Sequence, residues 1–179
     1  MEKLSINPSP LSTMWIENLA LEELNMDESG VVNINDHLGP ALFLEESSIE
    51  FMNLLRERFE IYTTKFNEYR GGANSGSLIK IFKISNTVND FMLFRNSLRL
   101  VFARKSNDLI SIGFLVNGKD IYAPRLTREE GRGAKNQTHD IRAHIGPFNN
   151  ISWRFNGEPV DIDTMVRYYL SEFIRQSAR

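Results

Sequence analysis

Apolar residues recur along this chain with two different periods, and the change of period predicts its elements. Between Ser47 and Arg70, the residues Met52, Leu55, Phe59, Tyr62, Phe66 and Tyr69 alternate in steps of three and four. That spacing predicts a helix of about five turns with a single apolar face. Ser47 followed by Glu50 has the form of a capping box. Gly71-Gly72 would stop the helix, because glycine reaches the left-handed conformation that closes a C-terminus. The small polar residues from Gly71 to Ser77 read as a joint.

From Leu78 the period falls to two, the repeat of a strand whose side chains alternate between faces. Strands are predicted at Leu78–Ile84, Phe91–Phe94, Leu98–Arg104, Leu109–Val116, Asp120–Ala123, His139–Ile145 and Ile151–Phe155. Asn96-Ser97 and Asn117-Gly118 have the residues of tight hairpin turns, where both positions need positive φ. Asn156-Gly157 is expected to end the sheet. Phe91–Phe94 is apolar on both faces, which predicts a strand covered on both sides. One cover would be the core and the other a helix, the N-terminal arm or a second subunit. Arg95, next in line, reads as a buried cation in need of a carboxylate.

Helical spacing returns after Asp161, an N-cap residue. Ile162, Met165, Val166, Tyr169, Leu170, Phe173 and Ile174 form a wide apolar stripe, so helices are expected over 47–70 and 161–178. Upstream, Ser12 or Thr13 would cap a short helix running to about Met26, with Leu11, Trp15 and Leu19 as its stripe. Val31–Ile34 and Ala41–Leu44 are short strand candidates around the Gly39-Pro40 break.

These elements give an α+β fold: an antiparallel meander of about seven strands, covered by a long N-terminal-side helix and a C-terminal amphipathic helix. Residues 1–46 are expected to form an acidic arm with a short helix and short strands. Residues 47–179 would form a single α+β domain. From Leu78 onward, seven short strands closed by a helix resemble a pleckstrin-homology-type barrel in outline. That resemblance rests on element order and implies a closed barrel; a single curved sheet wrapped on the long helix is the alternative.

Charge sharpens the division. The first fifty residues hold Lys3 against ten acids, a net of −9, whereas the whole chain of 179 residues is −2. Residues 51–179 therefore carry +7. Such asymmetry points to a masked basic surface or to an arm that seeks a basic partner. The chain has no Cys, which excludes disulfides, zinc–thiolate centres and cysteine nucleophiles. It has no apolar run near the ~20 residues that span a bilayer. A basic, then apolar, leader is also missing. A cytoplasmic protein without membrane contact is the expectation.

Candidate chemistry gathers between Arg125 and His144. Arg125, Arg128, Arg132, Lys135 and Arg142 are five cations, with Gly131 and Gly133 among them and His144 at the end. Cations beside flexible backbone amides suit an anion or a partner's acidic surface. Gly131-Arg132-Gly133 does not stand between a strand and a helix, so it is no nucleotide-binding fingerprint, and no cofactor is expected. On a strand, Asp140, Arg142 and His144 share one face and His139 takes the other. The two histidines therefore diverge, no metal site is expected, and no residue is assigned a catalytic role. The face would read as polar, tied by a cross-strand ion pair. Trp15 and Leu19 on an acidic helix suit docking into a partner groove. The functional expectation is a non-catalytic binding or assembly module acting through protein–protein contacts, with a protein partner or a homodimer. The alternative is a phosphate-directed, nuclease-like enzyme, or an anion or nucleic-acid binder, using residues 125–144. Nucleic acid ranks behind because the basic loop has no aromatic residue on which a base could stack.

Overall fold

The computed structural model describes residues 13–31, 40–71, 77–116 and 138–178. The chain divides into two compact units, Met1–Leu38 and Gly39–Arg179. In the first, helix α1 spans Met14–Ser29. It ends at Gly30, whose φ of 69° lets its N–H reach the Met26 carbonyl at 2.8 Å. The Thr13 side chain does not cap the helix start, and none of the 16 residues is buried. Trp15 and Leu19 of the predicted stripe are thus left exposed. Of the candidate strand Val31–Ile34, only Val31 falls among the described residues, and it is not in a strand.

The second unit opens with helix α2, Pro40–Arg70. Ala41–Leu44 is therefore helical, which corrects the strand expected there. Proline is favoured in the first helical turn, where its missing N–H costs nothing, and Ala, Leu and Glu are strong helix formers. The capping box is also displaced, since Ser47 and Glu50 lie inside the helix. Ser48 Oγ instead donates back to the Glu45 carbonyl at 2.8 Å, and Ser47 Oγ accepts from Trp153 Nε1 at 3.1 Å. The buried face of α2 is Ser48, Phe51, Met52, Leu55, Phe59 and Thr63. Tyr62 and Tyr69, predicted to share it, are 46% and 85% exposed. A repeat of alternating threes and fours averages 3.5, so on a straight helix of period 3.6 it drifts by about 20° per seven residues. After two turns the position facing the core has passed from Tyr62 to Thr63.

The sheet is an antiparallel meander in sequence order. Its strands are β1 Lys80–Lys83, β2 Phe91–Arg95, β3 Leu98–Ser106, β4 Leu109–Val116, β5 His139–Ile145, β6 Ile151–Phe155 and β7 Glu158–Pro159. Asn96 and Ser97 have φ of 49° and 72°, as their hairpin turn requires. Asn156 and Gly157 likewise have φ of 50° and 84°, so they turn the chain into β7 instead of ending the sheet. Asn117-Gly118 and the strand expected at Asp120–Ala123 lie outside the described residues. Seven strands and a helix keep the element order of a pleckstrin-homology-type domain, but among the described residues no pairing joins β1 to β7 to close a barrel. Both edges are blunted against strand addition. β1 has four residues with exposed Lys80 and Lys83, and β7 has two, one of them Pro159.

One face of the sheet carries the core. Phe91, Leu93, Leu98, Leu100, Phe102, Ile110, Ile112, Phe114, Ile141 and Trp153 are buried there. Helix α2 and the last helix, α3 (Ile162–Ser177), lie on it together. Phe102 marks the junction: its ring stacks on Phe91 at 4.7 Å, meets Phe59 of α2 at 5.0 Å and Tyr169 of α3 at 5.9 Å. The α3 start is capped as expected, with Asp161 Oδ2 accepting from the Thr164 N–H at 3.0 Å. On the opposite face of β2, Met92 and Phe94 are only half-buried, so the strand is not closed over on both sides. No helix among the described residues is long and apolar enough to cross a membrane.

Arg95 and the pair His139 and Tyr169 are polar groups sealed into the core. Arg95 is buried, but the carboxylate expected beside it is replaced by neutral acceptors. Its Nε donates to the Ser77 carbonyl at 2.9 Å, and Nη1 to the Ile174 carbonyl and Ser177 Oγ at the end of α3. A helix C-terminus carries partial negative charge and unmade carbonyl bonds, so it can stand in for a carboxylate. Burial, helped by the charge of Arg70, lowers the pKa of this guanidinium. At the other end, His139 Nδ1 and Tyr169 Oη are 2.7 Å apart and both residues are buried. Burial, with a smaller push from Tyr168, raises the Tyr169 hydroxyl far above the usual phenol range. An unfolded tyrosine ionises near pH 10, so this group's contribution is complete below about pH 10 and is lost as pH rises beyond it. Tyr169→Phe should therefore reduce the fall in stability between about pH 9 and 11 by about 1.4 kcal/mol in total. Urea unfolding between about pH 9 and 11 measures it, and equally steep curves for parent and variant would refute the assignment.

Candidate functional site

The predicted site residues fall into three groups. Arg125, Arg128, Arg132 and Lys135 lie outside the described residues. Trp15 and Leu19 stand on α1, 61% and 41% exposed, beside the similarly exposed Met14, Ile16, Leu21 and Leu24. Arg142 and His144 lie on β5, and alternation places them as expected. His139 points into the core, whereas Asp140, Arg142 and His144 take the outer face, away from α2 and α3.

Among the described residues the expected cross-strand ion pair does not form on that face. Arg142 is the direct partner of Arg154 on β6, His144 faces Ser152, and Asp140 faces Ser111 on β4. The Asp140 carboxylate is held through Oδ1 by the hydroxyls of Ser111 at 2.8 Å and Thr138 at 2.9 Å. Its Oδ2 comes within 4.0 Å of Arg142 Nη2, along the same strand. Arg154 Nε donates to Ser152 Oγ at 3.2 Å. Arg154 had escaped notice as a site residue. Its face could have been read from the alternation around Trp153, but its neighbour depends on the register of β5 with β6.

The hairpin that joins these strands ends in a 3₁₀ turn, Pro147–Asn149. Phe148 there is fully exposed, with φ of 58°. The turn is closed by the Gly146 N–H to the Asn150 carbonyl at 2.7 Å. An aromatic residue thus stands on the same hairpin as the cations, though not in the basic loop.

A cavity of about 510 Å³ opens between α2 and α3, lined by Tyr62, Asp163, Thr164, Arg167, Leu170, Ser171 and Ile174. Arg58 reaches its Asp163 at 3.8 Å. Asp140 and His144, which belong to the segment 125–144 of the enzyme alternative, stand on the opposite face of the sheet and do not line it. Among the described residues no three or more His, Asp or Glu side chains are grouped to hold a metal ion. Arg95 and Tyr169, whose pKa values are displaced, are both packed between sheet and helix. Compared with protein-family models, with curated proteins and with solved structures, the chain matches none.

Proposed function

We propose that this protein is a non-catalytic binding or assembly module of the cytoplasm, working through protein–protein contacts, with α1 as its docking element. The observation that carries the reading is that α1 buries none of its residues yet presents Met14, Trp15, Ile16, Leu19, Leu21 and Leu24 to solvent. A surface helix is ordinarily held by an apolar face packed on its own domain. A helix without that support is suited to finishing its packing on another molecule. Its acids, Glu17, Glu22, Glu23, Asp27 and Glu28, are accompanied by no cation between residues 13 and 31, which favours a groove with a basic rim. The partner is a different protein or a second copy of this chain.

Trp15→Ala combined with Leu19→Ala tests it. Both residues are exposed, so the fold should change by no more than about 0.5 kcal/mol. A tryptophan anchor at an interface is worth about 2 kcal/mol or more, near thirtyfold in affinity. The parent chain, isolated from its native source, should carry a stoichiometric protein partner or a second copy, and the double variant should lose it. Equal recovery with both chains, or a parent that emerges alone and monomeric, would end the proposal.

A further inference from the structure

The outer face of the β5–β6 hairpin sets two arginines where a sheet ordinarily avoids them. Arg142 and Arg154 are direct cross-strand partners, so their Cβ atoms lie about 5 Å apart and their charges repel. Among the described residues the carboxylate within ion-pair range of Arg142 is Asp140, which is engaged through Oδ1 by two hydroxyls and reaches Arg142 only at 4.0 Å. Two residues along, on the same face, His144 faces Ser152. Two guanidinium forks with an imidazole and a hydroxyl beside them form a donor set for a tetrahedral oxyanion.

We propose that this patch binds a phosphorylated side chain of a protein partner, with the phosphoryl group between Arg142 and Arg154. The inference rests on the protein-contact reading above and names a second surface for it. A phosphoryl group carries close to two negative charges at neutral pH, enough to neutralise both facing cations, whereas a carboxylate would leave one uncompensated. The patch is an exposed sheet face, not a cavity, with the Arg142 side chain 67% exposed. A small free phosphate ester would stay mostly in water there, while a protein brings its own walls to the site. Polyanions fit less well. The chain is −2 overall, so although residues 51–179 carry +7 the whole protein offers a nucleic acid or an anionic bilayer no net attraction. A single phosphoryl group responds mainly to charges within a Debye length of about 8 Å. Phe148, fully exposed at the tip of the same hairpin with φ of 58°, a conformation rare for bulky residues, offers an apolar contact for residues flanking the phosphate.

The test titrates the ¹⁵N-labelled full chain with a short peptide carrying one phosphoserine, and with its unphosphorylated twin. The Nε–H signals of Arg142 and Arg154 should shift and saturate with the phosphorylated peptide alone. Arg142→Gln and Arg154→Gln should each weaken binding about tenfold or more. Arg142→Lys should weaken it too, because an ammonium offers no fork. Without peptide, Arg154→Gln should melt at or above the parent temperature, since it relieves the facing charges. Four results would overturn the site: no shifts, an equal response to the twin, a lowered melting temperature for Arg154→Gln, or tighter binding through the same arginines of a single-stranded oligonucleotide or phosphatidylserine vesicles. Any of these, with assembly still lost in the Trp15/Leu19 variant, removes the phosphoryl site and leaves the protein-contact reading standing.

Discussion

Phe102→Ala is expected to cost the second unit about 3–5 kcal/mol, most of the stability of an ordinary domain. Phe102 is fully buried in β3 and touches three elements at once: Phe91 on β2, Phe59 on α2 and Tyr169 on α3. Truncation removes the transfer energy of the ring and leaves a hole that three rigid neighbours cannot close together. Urea unfolding measures the loss. Tyr62→Ala is the contrast: it removes another aromatic, but one 46% exposed at the open cavity between α2 and α3, and should cost less than about 1 kcal/mol. Similar losses at the two positions would mean that the sheet and helices are not packed through Phe102.

Arg95→Met should cost about 2–3 kcal/mol, although it takes a charge out of the core. Buried ion pairs can often be replaced by apolar residues without loss, because both desolvation penalties vanish together. Here the partners are the carbonyls of Ser77, three residues before β1, and of Ile174 in the last turn of α3, and they remain when the guanidinium goes. Its contact with the Phe66 ring, 5.3 Å from the centroid, is lost as well. Arg95→Lys should recover less than half of the loss, because Nε and Nη1 donate in two directions that one ammonium cannot reach together. Chemical denaturation of the three proteins decides it, and an unchanged midpoint in Arg95→Met would show that the guanidinium does not hold the C-terminus of α3.

Much of the fold was legible because it follows from local rules. The period of two in His139–Ile145 placed His139 inside and Asp140, Arg142 and His144 outside, as the structure has them. Asn96-Ser97 and Asp161 had the chemistry that their turn and cap demand, and both are formed. The errors arose where a local signal was overruled. Ala41–Leu44 read as a strand beside a Gly-Pro break, yet proline in the first turn begins a helix as readily as it breaks one. Asn156-Gly157 read as the end of the sheet, yet it turns the chain into β7, because a two-residue strand has no period to detect.

By itself, then, the sequence determined the period of each element, the sheet face on which each β5 residue lies and the charge imbalance between the acidic first fifty residues and the rest. Those are properties of neighbours along the chain, and backbone geometry fixes them. Tertiary structure decided what meets what. It turned the drifting stripe of α2 until Thr63 replaced Tyr62 in the core, gave Arg95 a helix end in place of a carboxylate, and set Arg142 against Arg154. Each of these depends on registers and packing angles between segments far apart in sequence, and a one-residue slip in the pairing of β5 with β6 would have sent Arg154 to the other face.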